Sequence, residues 1–326
     1  MELVAVCDQS FVSPGRVCDG VREWSSPEEM LEREDLDALF VCLPNYMAAR
    51  TAIAALEWGL HVFCEKPPGR TVEEVQAVRA VESESPGLVL MYGFNHRYHD
   101  SVIEAMEAIQ SGDLGRVLDM RGVYGKSAII KFEPGEWRSQ RALAGGGILL
   151  DQGIHMVDMM RLFGGEFHEV HSFMSNSHWG HDVEDNAYIL MRADSGVVAL
   201  LHSSATQWRH RFQLDITLSR GAITLSGILS STKSYGAETV TMIYPSAEQV
   251  GDPKEVTTRF NDDPSWKREV QAFSYAIQDP RSWDRNSSID ALETMKLIAR
   301  IYEADKAWRP TLLAGHANEA DKGPPN

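Results

Sequence analysis

In the first 95 residues, short and nearly continuous apolar runs alternate with helical segments, and this alternation constrains the fold more than any other feature. The runs are Glu2–Cys7, Leu36–Leu43, His61–Cys64 and Leu88–Tyr92, bounded by turn residues and too short for helices. Between them, Ser26-Pro27-Glu28-Glu29 starts a helix with a capping serine, a proline at the first helical position and acids at the positive end of the dipole. Ala48–Trp58 is an alanine-rich helix closed by Gly59, and Thr71–Glu74 forms a capping box for the next one. Apolar strands joined by helical crossovers predict a parallel sheet covered on both faces. Such sheets bind ligands beyond the carboxyl ends of their strands. Asp8, Pro44-Asn45, Glu65-Lys66-Pro67 and Gly93-Phe94-Asn95 all lie just past strand ends and are expected to line one crevice.

After about residue 100 the pattern changes. One helix, Ser101–Gln110, stops at Gly112, and strand-like runs follow at Arg116–Tyr124, Glu169–Met174, Asn186–Met191, Val197–Ser203, Phe212–Leu218, Ala222–Leu225 and Thr239–Tyr244. Ser195-Gly196 and Arg220-Gly221 read as hairpin turns, so this sheet is expected to be mostly antiparallel. Helices at Trp266–Gln278 and Ile289–Trp308 close the chain. The predicted architecture is α/β: a Rossmann-type parallel sheet in residues 1–97, N-terminally incomplete, then an α+β domain over 98–312 with a large, mostly antiparallel open sheet. Residues 313–326 are too polar to pack and are expected to be disordered. The free face of such a sheet is commonly buried in an oligomer, which predicts a homodimer or homotetramer.

The formal net charge of −16 and pI near 5.1 argue against a broad nucleic-acid or anionic-membrane surface, which needs clustered Lys and Arg. No stretch approaches the roughly 18 uncharged apolar residues of a membrane span. The four cysteines, Cys7, Cys18, Cys42 and Cys64, form no CxxC pair, and Cys7, Cys42 and Cys64, set in apolar runs, read as small buried hydrophobes in a reducing cytosol. A cytoplasmic protein with no bound metal is expected. His178 and His181 read as a solvated loop rather than a metal pair, and Met159-Met160 as core.

The segment GGGILLDQGIHMVDMMRLFGG, residues 145–165, places Leu149, Leu150, Ile154, Val157, Met160 and Leu162 at helical spacing. Asp151 and His155 then share one helix face, with Asp158 a turn later. Two readings stand for this pair. One is an ordinary ion pair capping a buried helix. The other is a carboxylate that fixes an imidazole tautomer and raises its basicity, as a general base near neutral pH requires. The glycine triplet before it lets backbone approach a ligand closely.

Cys-Leu-Pro44-Asn45, Glu65-Lys66-Pro67, Gly93-Phe94-Asn95-His96-Arg97-Tyr98 and Gly146-Gly147 with Asp151-x-Gly153-x-His155 occur in an order that resembles the Gfo/Idh/MocA oxidoreductases, the glucose-fructose oxidoreductase and inositol dehydrogenase family. The resemblance runs from residue 2 to about residue 310. It implies NAD(P)-dependent hydride transfer to or from a hydroxyl or ketone of a sugar, cyclitol or nucleotide-sugar. Lys66 would sit between the nicotinamide ribose and the substrate hydroxyl, stabilising an alkoxide. His155 would be the acid/base group, and Asp151 would bind a sugar hydroxyl or orient the histidine. Glu65 and Pro67 would shape the turn presenting Lys66. Pro44, Asn45 and Asn95 would line the cofactor site, with Asp8 facing the adenosine ribose. An acid there repels a 2′-phosphate, so NAD is favoured over NADP.

Two departures accompany the resemblance. Ala48 stands where the family often has a histidine, and no Gly-x-Gly-x-x-Gly turn precedes Asp8 by the expected ~20 residues, so Met1 is read as a truncated or misassigned start. The alternative reading is a cofactor-less binding or scaffold homologue. Trp137 and Arg138, in the loop before the glycine triplet, read either as substrate contacts, the Trp stacking on a sugar face and the Arg holding a carboxylate or phosphate, or as a surface lid with no ligand. Arg97 at the seam reads either as a substrate contact or as a structural ion-pair member.

Overall fold

The computed structural model describes residues 1–11, 15–128, 132, 133, 135–230, 235–245, 251–279 and 287–308, so the tail expected at 313–326 lies outside them. The parallel sheet is in two pieces. β1 (Ala5–Cys7) pairs in parallel with β3 (Val21–Trp24), and β2 (Arg16–Cys18) adds antiparallel on the far side of β3. β4 (Ala38–Val41), β5 (His61–Glu65) and β6 (Leu90–Gly93) form the second piece, in that order and all parallel. No ladder joins the pieces among the described residues. β2 and β3 escape the sequence pattern because Arg16, Arg22 and Glu23 interrupt any apolar run.

The helix signals operate as read. The Ser26 hydroxyl accepts the Glu29 amide at the start of α1 (Pro27–Arg33), and the Thr71 hydroxyl accepts that of Glu74 ahead of α3 (Val72–Glu84). α2 (Asn45–Glu57) buries Ala48, Ala49, Ala52 and Ala55, whose small side chains let it lie close to β5 and α3.

A 3-10 turn, Asn95–Tyr98, leads into α4 (Asp100–Ser111), which ends at Gly112 in the left-handed conformation. The second sheet has eight strands: β7 (Val117–Ser127), β8 (Phe167–Ser175), β9 (Asn186–Ala193), β10 (Val198–Gln207), β11 (Arg211–Leu218), β12 (Gly221–Ser226), β13 (Glu238–Tyr244) and β14 (Lys254–Phe260). Their order is β14-β13-β12-β11-β7-β10-β9-β8, antiparallel except for the parallel β7–β10 pair. β14 has no counterpart in the sequence reading because its residues are nearly all exposed and offer no apolar face. Between β7 and β8 run α5 (Arg141–Ala144), a π-helical turn (Leu149–Gly153) and α6 (Ile154–Gly164).

α4, α6 and α8 (Ser288–Ala304) cover one face of this sheet, and strand residues alternate buried and exposed accordingly. α7 (Ser265–Gln278) and α8 also reach back to the first unit, across the boundary expected at residue 97. Phe273 of α7 sets its ring edge against Phe40 and Phe63, at 5.5 and 5.7 Å, and Arg79 of α3 donates to Ser288 at 3.2 Å. The carboxyl ends of β5 and β6 therefore face α6 across a seam closed by these helices.

Candidate active site

Glu184, wholly buried, builds the entry to α6. Its carboxylate accepts the amides of Gly147 (2.8 Å) and Leu149 (2.9 Å) and the Tyr302 hydroxyl (2.8 Å). The glycine triplet serves this packing rather than a ligand, contrary to the sequence reading. A Cβ on Gly147 would lie 2.1 Å from the Glu184 carbonyl oxygen, one on Gly145 2.7 Å from Arg70 Cα, and one on Gly146 2.2 Å from the Tyr302 hydroxyl. The chain is wound as a π-turn over Leu149–Gly153, a local over-expansion frequent at functional sites.

That winding changes the expected Asp151–His155 pair. The Asp151 carboxylate lies 3.9 Å from Arg138 Nε, while His155 Nδ1 is buried with no hydrogen-bond partner. Asp151 meets Lys66 instead, through its main-chain oxygen, which accepts from Lys66 Nζ at 2.5 Å. Lys66 leaves the end of β5 on a turn where Glu65 Oε2 accepts the Lys66 amide at 3.3 Å. Gly93 at the end of β6 makes room for Glu65, since a Cβ there would sit 3.0 Å from the same oxygen.

Three effects hold His155 well below the usual histidine range: burial first, then the Lys66 charge, then His99. Glu65 is shifted up by burial, partly offset by Lys66. Beneath this turn Glu269 of α7 is buried with neither carboxyl oxygen partnered, and burial, with Glu65 beside it, pushes it up to about 9. Lys126 on β7, its ammonium 4.5 Å from the centre of the Phe132 ring, is shifted down by burial and feels Asp151, Arg138, Glu136 and Lys66.

Several expected residues lie elsewhere. The buried Arg97 guanidinium donates to Asp158 (2.6 Å) and Asp290, a geometry that favours the ion-pair reading. Asn95 donates one amide N–H to Ser265 (3.3 Å) and turns its oxygen to His96 (3.0 Å). Asn45 donates to the Ala144 carbonyl (2.7 Å), tying α2 to the end of α5, and Pro44 is half-buried ahead of it. Asp8 is exposed at the end of β1, and hydrogen bonds from the Ser10 hydroxyl (2.6 Å) and amide (2.8 Å) hold its carboxyl below the usual range. Arg138 lies over the Trp137 ring at 4.3 Å and pairs with Glu136 at 2.9 Å. Pro67 is buried behind Lys66. Sequence reasoning missed Glu184, Lys126, Tyr124 and Glu269. No local motif marks them, and only the fold brings them to this seam. Among the described residues no group of three or more His, Cys, Asp or Glu side chains has metal-holding geometry, and no helix is long and apolar enough to cross a membrane.

Residues 1–94 match the model of an oxidoreductase family with an NAD-binding Rossmann fold, and residues 102–224 match that of the GFO/IDH/MocA C-terminal domain. The chain belongs to the Gfo/Idh/MocA family. Levoglucosan dehydrogenase of Pseudarthrobacter phenanthrenivorans is 37% identical over 47% of this chain, and that match spans only 38% of the enzyme's own length. D-xylose 1-dehydrogenase (NADP(+)) 2 of Haloferax volcanii is 29% identical over 86% of this chain and 82% of its own. A levoglucosan dehydrogenase solved with NADH and levoglucosan superimposes with a TM-score of 0.72 and 25% identity, over 86% of this chain and 82% of that one.

The residues present fit the ribose and nicotinamide portions of a dinucleotide. Asp8 is an ionised, exposed acceptor past β1, Lys66 a cation past β5, and the orphaned His155 Nδ1 an unused polar atom behind them. The described residues past these strand ends contribute no glycine-rich turn for a pyrophosphate.

Proposed function

We propose that this chain carries the catalytic site of an NAD(P)-dependent oxidoreductase that moves hydride between nicotinamide and a hydroxyl or ketone of a sugar, cyclitol or nucleotide-sugar, with NAD favoured. The observation that supports this most directly is a neutral, buried histidine with an unpartnered ring nitrogen beside a lysine fixed by the backbone. Bound nicotinamide supplies the hydride acceptor or donor. His155 takes the hydroxyl proton during oxidation and returns it during reduction. Lys66, held by the Asp151 carbonyl, places its ammonium where alkoxide charge develops. The Asp151 carboxylate and Arg138 bind neighbouring substrate hydroxyls, and Trp137 backs a sugar face. Asp8 accepts from ribose hydroxyls and disfavours a 2′-phosphate.

The test is NADH formation with a panel of aldoses, anhydrosugars, cyclitols and nucleotide-sugars, alongside Lys66→Met and His155→Ala. Turnover lost in both variants supports the assignment; unchanged turnover in either sinks it. If the wild-type chain neither quenches NADH fluorescence on titration nor reduces NAD with any substrate, the enzyme reading fails and a cofactor-less binder remains. Asp8→Ser is expected to narrow the preference for NAD over NADP. The described cysteines Cys7, Cys42 and Cys64 are free thiols, which supports a cytoplasmic setting. On the open sheet face, Phe173 stands opposite Tyr188, Leu190 opposite Leu200, and Tyr188 stacks on His202 at 4.3 Å. This exposed apolar patch supports a homodimer or homotetramer formed through the sheet, testable by sedimentation of Leu190→Asp.

A further inference from the structure

The His155 ring lacks the hydrogen bond that ordinarily fixes a catalytic imidazole, since Nδ1 is buried and unpartnered. A second imidazole lies against it. The rings of His96 and His155 stack with centroids 3.8 Å apart and planes 11° apart, while Phe94 presents an edge to His155 at 6.3 Å. His96 is fixed at both nitrogens. Nδ1 meets Asn95 Oδ1 and Nε2 meets the Tyr124 hydroxyl, each at 3.0 Å.

The direction of these bonds follows from their far end. Ser265 donates its hydroxyl to the Asp263 carboxylate at 2.6 Å, so toward Asn95 it is an acceptor and receives Nδ2–H at 3.3 Å. Asn95 therefore turns Oδ1 to His96, whose Nδ1 carries the proton, and His96 Nε2 accepts from Tyr124. We propose that His96 is the positioning residue of His155: a chain anchored on Asp263 holds it neutral and in one plane, and its stacked ring orients the acid/base imidazole.

The inference rests on the reading of His155 as the acid/base group. Protonating His96 requires the Tyr124 hydroxyl to reverse and puts a cation against His155, so His155 is the ring free to exchange a proton. Facing the pair are Lys66 from the turn after β5, Asp151 from the π-turn, and Tyr124 from β7 with Tyr235 beside it. His99 faces it from the turn before α4, paired with Glu238 of β13 at 2.8 Å, and Arg97 lies behind, neutralised by Asp158 and Asp290. Burial disfavours charge on His155, and Lys66 and His99 disfavour it further.

The experiment compares His96→Phe, which keeps a stacked ring, with His96→Ala, which removes it, and with Ser265→Ala, which cuts the anchor. Each is read by NMR titration of the His155 ring without substrate and by the pH profile of kcat. In wild type and His96→Phe, His155 is expected to titrate well below the ordinary value of about 6.5. In His96→Ala, water reaches the ring, its titration rises by about one pH unit or more, the acid limb of kcat moves up with it, and the plateau kcat falls about tenfold at unchanged KM. In Ser265→Ala, His96 gains a titration of its own. A His155 titration in His96→Ala that coincides with wild type overturns the proposal; if that variant does not fold, an untitrated His96 in Ser265→Ala does so. An inactive wild-type protein would instead count against the functional reading, since the NMR shifts decide the stacking claim by themselves.

Discussion

Two buried polar clusters share α6 and are built on opposite rules. On one side, Asp158 accepts from Arg97 (2.6 Å) and from Thr294 (3.1 Å), and Arg161 donates to Thr294 (2.7 Å) and Asp290 (3.1 Å). These bonds tie α6, the Asn95–Tyr98 turn and α8 together, and each carboxylate there has a cation. A turn earlier on the same helix His155 has a buried nitrogen with no hydrogen-bond partner; around it, His99 Nε2 likewise has no hydrogen bond, with Asp263 4.0 Å away, and Lys66 leans on a carbonyl rather than a carboxylate. Full pairing gives the first cluster rigidity and leaves it nothing to exchange. Incomplete pairing keeps the second near neutrality and able to take a proton or hold an incoming hydroxyl.

The sharpest break between the clusters is in turnover. Lys66→Met and His155→Ala are expected to lower kcat by about 10²–10⁴-fold with little change in the thermal midpoint. Arg97→Met should do the reverse: it strands Asp158 in the seam, costs about 3–5 kcal/mol in urea unfolding, and leaves kcat of the remaining folded protein nearly intact. Loss of kcat without loss of stability in Arg97→Met would erase the distinction.

A smaller effect concerns Glu269, unpartnered and raised to about 9. The folded chain keeps a proton there that the unfolded chain releases near pH 4.3. Stability from this group is therefore fully present below about pH 4.3 and is lost as pH rises toward about 9. Glu269→Gln should flatten that slope and exceed wild type in stability by more at pH 8 than at pH 5, read from urea midpoints. The smallest effect is expected for Asp151→Asn. Its half-buried carboxylate faces Arg138 at 3.9 Å, a contact worth less than about 1 kcal/mol, so KM should rise no more than about fivefold. A collapse of kcat in that variant would restore the carboxylate to the chemistry and draw the two clusters closer.

Much of this was readable along the chain because it is local. Ser26, Thr71, Gly59 and Gly112 cap helices through contacts within a few residues, and the strand-end positions of Asp8, Lys66 and Asn95 follow from where apolar runs stop. The glycine triplet misled because its close neighbours, Arg70, Tyr302 and Glu184, are distant in sequence. Asp151 and His155 depart from α-helical spacing because the backbone between them is wound as a π-turn, which residue spacing alone does not signal. The stack of His96 on His155 has no signature in spacing at all. It exists only where the end of β6 meets α6.

The parallel β7–β10 pair has a consequence for how the molecule assembles. Antiparallel neighbours such as β11 and β12 close through a short hairpin, but β10 can meet β7, and β11 can then join β7 on its other side, only after the whole intervening chain, with the π-turn, α6, β8 and β9, has been drawn into a crossover. Closing so long a loop is entropically slow. His155 and Asp151 ride on that crossover, while Lys66 waits on a sheet stitched from nearer contacts. Catalytic competence should consequently be among the last properties to appear during refolding, and its recovery would time the closure of the central strands.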